Sequence, residues 1–201
     1  MKILVTGFEP FGNDTYNPSM EVLGILPKRI KDAEIVTGVL PVVRFASLRK
    51  MEELIEKEHP DAILSLGMAG GRSAITPERT AVNGDDYRIA DNGGLQPCDE
   101  PVYADGPDAY FSLLPIKAMV RAIRACELPA EVSESAGTFV CNHVFYGTRY
   151  YCAIHHPDIR CGFMHVPYAS EQCAETKPSL ALDDIARGVK AAIEAIITEL
   201  S

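Results

Sequence analysis

The segment Ser135-Ala136-Gly137-Thr138-Phe139-Val140-Cys141-Asn142-His143 runs from a predicted strand through a glycine turn into a predicted helix. That puts Cys141 at a helix N-terminus, where the partial positive charge favours thiolate. Free N–H groups of the same helical turn could cradle a developing oxyanion. A buried structural cysteine in a helix's first turn would read the same way, so the segment needs partners before it means nucleophile.

A thiol nucleophile wants a base, and the base wants an orienting acceptor. Of the five histidines, His59, His155 and His156 fall at predicted helix ends. His143 is two residues from Cys141 on one helix, a spacing that does not bring side chains face to face. His165 ends the apolar strand Cys161-Gly162-Phe163-Met164 and precedes Val166-Pro167, the position of a catalytic base at a strand end. Glu78, in Ile75-Thr76-Pro77-Glu78-Arg79, could hold its imidazole, and Arg79 could aid substrate or oxyanion binding. Taken alone, Glu beside Arg is ordinary surface charge. The turn Gly7-Phe8-Glu9-Pro10-Phe11-Gly12 adds two aromatic rings on one loop, either folded onto the core or walling an apolar pocket. Gly67-Met68-Ala69-Gly70-Gly71-Arg72 is glycine-rich but matches neither nucleotide-phosphate signature.

The elements that must position these residues follow from periodicity. A buried strand is predicted at Lys2 to Thr6, and further strands at Ala33 to Leu40, Ala62 to Leu66, Ala130 to Ser135 and Arg160 to Met164. Helices are predicted at Ser19 to Leu26, from Phe45 to a stop before Pro60, at Pro115 to Cys126, at Val140 to Ile154, and from Ile185 to Leu200. The region from about 75 to 110 is rich in Gly, Pro, Asn and Asp, and reads as an irregular excursion with short hairpins at most. Strands alternating with helices give an α/β fold around a mostly parallel twisted sheet. In such sheets the loops beyond the strands' carboxyl ends form the ligand crevice. That brings Gly7 to Asn17, Gly67 to Glu78 and the His165 region together.

The chain has 201 residues, suited to a single domain that buries a real core. Apolar residues make up 47%, and 19 Lys plus Arg against 28 Asp plus Glu leave a net charge of −9. An acidic balance argues against a nucleic-acid or anionic-membrane footprint. No apolar run reaches the roughly 18 residues of a membrane span, and the N-terminus carries no signal-peptide core. The six cysteines contain no Cys-x-x-Cys, so neither a zinc site nor a disulfide framework is expected.

Together these segments resemble the pyroglutamyl peptidase type I family, also called pyrrolidone-carboxylate peptidases. The resemblance rests on Gly7 to Gly12 with Asn17-Pro18-Ser19, Gly70-Gly71-Arg72, Ile75 to Arg79, Asp91-Asn92, Ser135 to Asn142, and His165-Val166-Pro167. It implies a thiol omega peptidase with a Glu78, Cys141, His165 triad. It implies a pyroglutamate pocket of Phe8 and Phe11 with Met68, Ile89, Phe139 and Val140. It further implies a three-layer α/β/α sandwich, cytoplasmic location, and a homo-oligomer, tetramer or dimer. The substrates would be peptides with N-terminal pyroglutamate, with no metal or cofactor. Some members carry Gln where Met68 stands, and that amide contributes to the pocket. Two other classes remain open: a silent homologue that binds blocked peptides, and a phosphate-handling α/β enzyme using the glycine-rich loop.

Overall fold

The computed structural model describes residues 1–172 and 177–201; Cys173 lies outside them. In chain order the elements are β1 (Lys2–Phe8), α1 (Pro18–Ile25), β2 (Arg29–Ile30), β3 (Ala33–Leu40), α2 (Arg44–Glu58), β4 (Ala62–Met68) and β5 (Thr76–Val82). There follow β6 (Ala109–Phe111), α3 (Ile116–Ala125), β7 (Ser133–Ser135), α4 (Val140–His155), β8 (Arg160–Val166), β9 (Tyr168–Ala169), β10 (Ser179–Leu180) and α5 (Leu182–Leu200).

The central sheet runs β2-β3-β1-β4-β8-β5-β6, with β7 paired to β5. Its middle, β3-β1-β4-β8, is wholly parallel. β1, β4 and β8 are almost fully buried along their length, which is why they read as apolar runs without alternation. One core cluster joins Ile3, Val5, Leu64 and Leu66 to Val22, Met119, Ile123, Val189 and Ile193, so α1, α3 and α5 cover that face. A second joins Leu4 and Ile63 to Met51, Ile55, Val144 and Phe145, so α2 and α4 cover the other. The result is a mixed α/β fold with a mostly parallel sheet between helical layers.

Helix starts and stops have local causes. Asn17 caps α1, accepting from the Ser19 N–H at 3.1 Å, and Pro18 occupies the first turn where no N–H is needed. α5 begins with Asp183 and Asp184 and buries a stripe of Ile185, Val189, Ile193 and Ile196. At Gly7 a Cβ would lie 2.1 Å from the Ser19 carbonyl oxygen. That glycine lets the start of α1 press against the end of β1.

One expectation is corrected. The excursion does not start at residue 75, because 76–82 is β5, a strand of the main sheet. β5 runs antiparallel to β8, Thr76 opposite His165 and Pro77 opposite Met164. Past Pro77 it leaves β8 and pairs with β7 and β6 instead. The irregular part is the stretch between β5 and β6, pinned by an isolated bridge from Asp85 to Glu100.

Candidate active site

β1, β4 and β8 end side by side at Phe8, Met68 and Val166, and the crevice opens beyond them. His165 is one residue short of the end of β8, directly paired with Gly67 of β4. Its Nδ1 lies 2.6 Å from Glu78 Oε1, and both side chains are buried, at 6% and 0% exposure. Burial pushes the Glu78 carboxyl up, but the hydrogen bond and charge of His165, the Ser133 hydroxyl and the Arg72 guanidinium outweigh it and hold it below its usual value. An ionised carboxylate can only accept, so the proton of this bond sits on Nδ1 and Nε2 faces away from Glu78.

Cys141 is the second residue of α4. Its Sγ lies against Gly67, where a Cβ would come within 2.8 Å of it. Gly67 therefore has the thiol of α4 packed against it and His165 as its paired neighbour on β8. No direct hydrogen bond joins thiol and imidazole, as is common for catalytic groups that tighten only around a substrate. The expectation that the helix end lowers the thiol pKa is corrected. Burial, with Glu78 adding to it, pushes Cys141 up to about 12, and Arg72 pulls the other way. A helix terminus in a partly buried setting is worth at most about 2 kcal/mol, roughly one and a half pKa units. Desolvation outweighs that, so the resting thiol is neutral.

The N-terminus of α4 has no side-chain cap. The His143 N–H closes the first intrahelical bond, to Phe139 O at 3.0 Å. The N–H groups of the preceding turn have no intrahelical acceptor, and Val140 and Cys141 both line the crevice. This is donor geometry for an oxyanion. Asn142 fixes the turn: its Oδ1 accepts from Val82 N at 2.9 Å and its Nδ2 donates to Val82 O at 2.9 Å and Gly84 O at 3.1 Å.

The crevice is a cavity of about 570 Å³, and Phe8, Phe11, Met68, Ile89, Phe139, Val140 and Cys141 all line it. Phe11 meets Phe139 edge to face at 5.4 Å, and Tyr87 backs Phe139 at 4.6 Å. The Phe11 loop is tied down by Asn92, whose amide accepts from Gly12 N and donates to Pro10 O, each at 3.0 Å. Gln172 Nε2 approaches Met68 Sδ at 3.5 Å, so an amide stands directly behind the thioether.

Arg79 is not part of this arrangement. Neighbours on a strand point to opposite faces, so with Glu78 turned inward Arg79 turns out, where its Nε donates to Glu134 at 2.7 Å. It lies in a separate groove with Phe111 and Arg121. The oxyanion role expected of it has no geometric support. Arg72 is the cation that reaches Glu78, at 2.6 Å.

Sequence reasoning also missed a buried polar group behind the pocket wall. Asp85 Oδ2 takes Arg44 Nε at 2.7 Å and pairs with His143 Nδ1 at 2.6 Å, while Arg44 Nη1 reaches Glu100 at 2.6 Å. His143 thus belongs to a buried charge cluster at the start of the stretch that carries Tyr87 and Ile89. The only available signal was a charged Asp-Asp pair inside a glycine-rich stretch. Among the described residues no group of three His, Cys, Asp or Glu could hold a metal ion, and no helix is long and apolar enough to cross a membrane.

Comparison with known proteins points one way. The family model described as pyroglutamyl peptidase matches residues 1–199. A pyrrolidone-carboxylate peptidase of Aliivibrio fischeri is 50% identical over 198 residues, 98% of this chain and 92% of that one. The crystal structure of pyroglutamyl peptidase I from Bacillus amyloliquefaciens matches with a TM-score of 0.95 at 46% identity, covering 98% of this chain and 97% of that one. The pyrrolidone carboxyl peptidase of Thermococcus litoralis matches at 0.95 and 35%, covering 99% and 94%.

Proposed function

The chain belongs to the pyroglutamyl peptidase family, and on that premise we propose which residues carry the reaction: Cys141 as nucleophile, His165 as base and acid, Glu78 as the orienting carboxylate. The protein is a cysteine peptidase that hydrolyses the bond following an N-terminal pyroglutamyl (5-oxoproline) residue. The observation that carries the residue assignment is the buried 2.6 Å pair of Glu78 and His165, set across Gly67 from the Cys141 thiol.

The steps follow from the resting charges. His165 Nε2 takes the thiol proton as Cys141 Sγ attacks the carbonyl joining pyroglutamate to the next residue. A half-buried thiol that rests protonated gives its proton to His165 as it attacks. N–H groups at the uncapped start of α4 receive the oxyanion. The imidazolium then protonates the leaving amine, a thioester on Cys141 remains, and water activated by His165 hydrolyses it. Pyroglutamate has no ionisable amine, so its recognition asks for flat apolar walls and backbone partners for the lactam. Phe11, Phe139, Phe8, Ile89 and Val140 supply such walls, with Met68 beside them.

Further parts of the reading are a single peptidase domain, a homo-oligomer (tetramer or dimer) and a cytoplasmic location. Phe111, 68% exposed on the free edge strand β6, supports self-association. A thiol mechanism supports a reducing compartment. Sedimentation at micromolar concentration tests the first of these two, cell fractionation the second. The activity itself is tested by release of a fluorophore from a pyroglutamyl amide with and without iodoacetamide, followed by mapping of the alkylated cysteine. Turnover that survives full alkylation of Cys141 would overturn the assignment.

A further inference from the structure

The carboxylate of Glu78 carries its contacts unevenly. Oε1 accepts from His165 Nδ1 at 2.6 Å and from Arg72 Nη1 at 2.6 Å. Oε2 is buried and has no hydrogen-bond partner among the described residues. The Ser133 hydroxyl, on the residue paired to Glu78 in β7, is close enough to help hold the carboxyl down but gives its hydrogen bond to Ser135 O at 3.2 Å. A single oxygen thus holds both the imidazole and a guanidinium. Arg72 Nη1 also donates to Thr76 Oγ1 at 2.6 Å, which anchors the guanidinium to the start of β5. Arg72 is not among the residues lining the crevice, and its side chain is 34% exposed while that of Glu78 is fully buried.

A fully buried carboxylate with one unpaired oxygen and only a neutral imidazole for company would tend to take up a proton. Once protonated it would lose its hold on the Nδ1 proton, and His165 could adopt the wrong tautomer. We propose that Arg72 is a positioning residue of the reaction: through the shared oxygen it keeps Glu78 ionised and fixes the point at which His165 docks. The inference rests on reading Glu78 and His165 as parts of the catalytic group. The groups that face Glu78 are His165 from β8, Arg72 from the loop after β4, the Cys141 thiol from α4 and the neutral Ser133 hydroxyl from β7. Arg72 is therefore the one permanent cation among them. Without it, burial acts on Glu78 with less opposition, and its carboxyl protonates at higher pH.

The test is the pH profile of kcat/KM for a fluorogenic pyroglutamyl amide in Arg72→Met, Arg72→Gln and Arg72→Lys, with Glu78→Gln as reference. Arg72→Met should lower kcat near neutrality by on the order of tenfold or more, with KM within about twofold because the crevice is untouched. Its acid limb should move to higher pH by roughly half a unit to one unit, the guanidinium being partly screened by solvent. Arg72→Gln keeps a donor without the charge and should show the same shift, and Arg72→Lys should largely restore the limb. The position of a limb does not depend on the folded fraction, so a purely structural role would lower amplitude without moving it. An acid limb that stays at its wild-type position in the Met and Gln variants, beside a crippled Glu78→Gln, overturns this inference alone. Full turnover in Glu78→Gln overturns the catalytic reading and this inference with it.

Discussion

Gly67→Ala adds one methyl at the point where the catalytic groups converge. Its Cβ would stand 2.8 Å from Cys141 Sγ and 2.9 and 3.0 Å from Phe163 Cζ and Cε1, where ordinary contact begins near 3.4 Å. Neighbours must therefore give by about half an ångström. The thiol can yield by rotating about its single side-chain torsion, but that carries it out of line with His165. Phe163 cannot yield easily. It is 1% exposed, packs on Phe8 and Phe145, and its ring lies 4.9 Å from the His165 ring. Overpacking of this kind costs roughly 1–3 kcal/mol, equivalent to a melting temperature lower by about 2–12 °C for a chain of this size. Misplacement by about 1 Å can cost about a hundredfold in rate, so kcat should fall by roughly ten- to a hundredfold. KM should hold, since Phe11, Phe139 and Ile89 are not touched. Steady-state kinetics on a pyroglutamyl amide, paired with a thermal melt, separate the two effects. Wild-type kcat in folded Gly67→Ala would refute the placement of thiol and imidazole around this glycine.

Cys141→Ser should abolish turnover and leave the melt within a few degrees, while retained activity would point to another nucleophile. With the thiol pushed up to about 12, the thiolate fraction is small at neutrality. Alkylation of the free enzyme by iodoacetamide should accelerate close to tenfold per pH unit through the alkaline range, and a plateau reached by neutral pH would show a preformed thiolate instead. Glu78→Gln should reduce kcat by on the order of 10²–10⁴ with KM little changed, as loss of a triad carboxylate does elsewhere; circular dichroism should show the fold intact, and unimpaired kcat would remove Glu78 from the reaction. Phe139→Ala removes the ring shared by Phe11 and Tyr87, so KM should rise about tenfold or more; an unchanged KM would move the pyroglutamyl ring elsewhere in the crevice.

The parallel half of the sheet was readable because burial on both faces writes itself into composition. Leu4, Val5, Ile63, Leu64 and Met164 are all fully buried, and the crevice followed from where their strands end. β5 was not readable. Thr-Pro-Glu-Arg-Thr looks like a loop, because proline and two charges argue against a strand. The structure tolerates Pro77 at the last position paired to β8, and supplies Glu78 with His165 and Arg72 once it is inside. Burial of a charge depends on partners distant in sequence, here 87 residues away for His165. Arg79 shows the converse error: once β5 is a strand, alternation alone sends it outward. The thiol's proton affinity failed for a third reason. Local helix position was visible, whereas desolvation by the packed crevice was not.

β5 also explains how two poorly connected pieces of chain become one site. Glu78 sits in its middle and meets His165 on one side. Val82, at its end, makes both backbone bonds to the Asn142 amide, which immediately follows Cys141 on α4. The carboxylate that orients the base and the turn that carries the nucleophile are thus anchored to one rigid strand, four residues apart. An extended strand spans about 3.3 Å per residue, so these anchors lie roughly 13 Å apart along β5, with Gly67 of β4 opposite His165 on the far side of β8 from β5. Rigidity in such a frame matters more than any single contact, because the neutral resting thiol must give up its proton as it attacks. That step is efficient only when donor, base and carbonyl are already aligned.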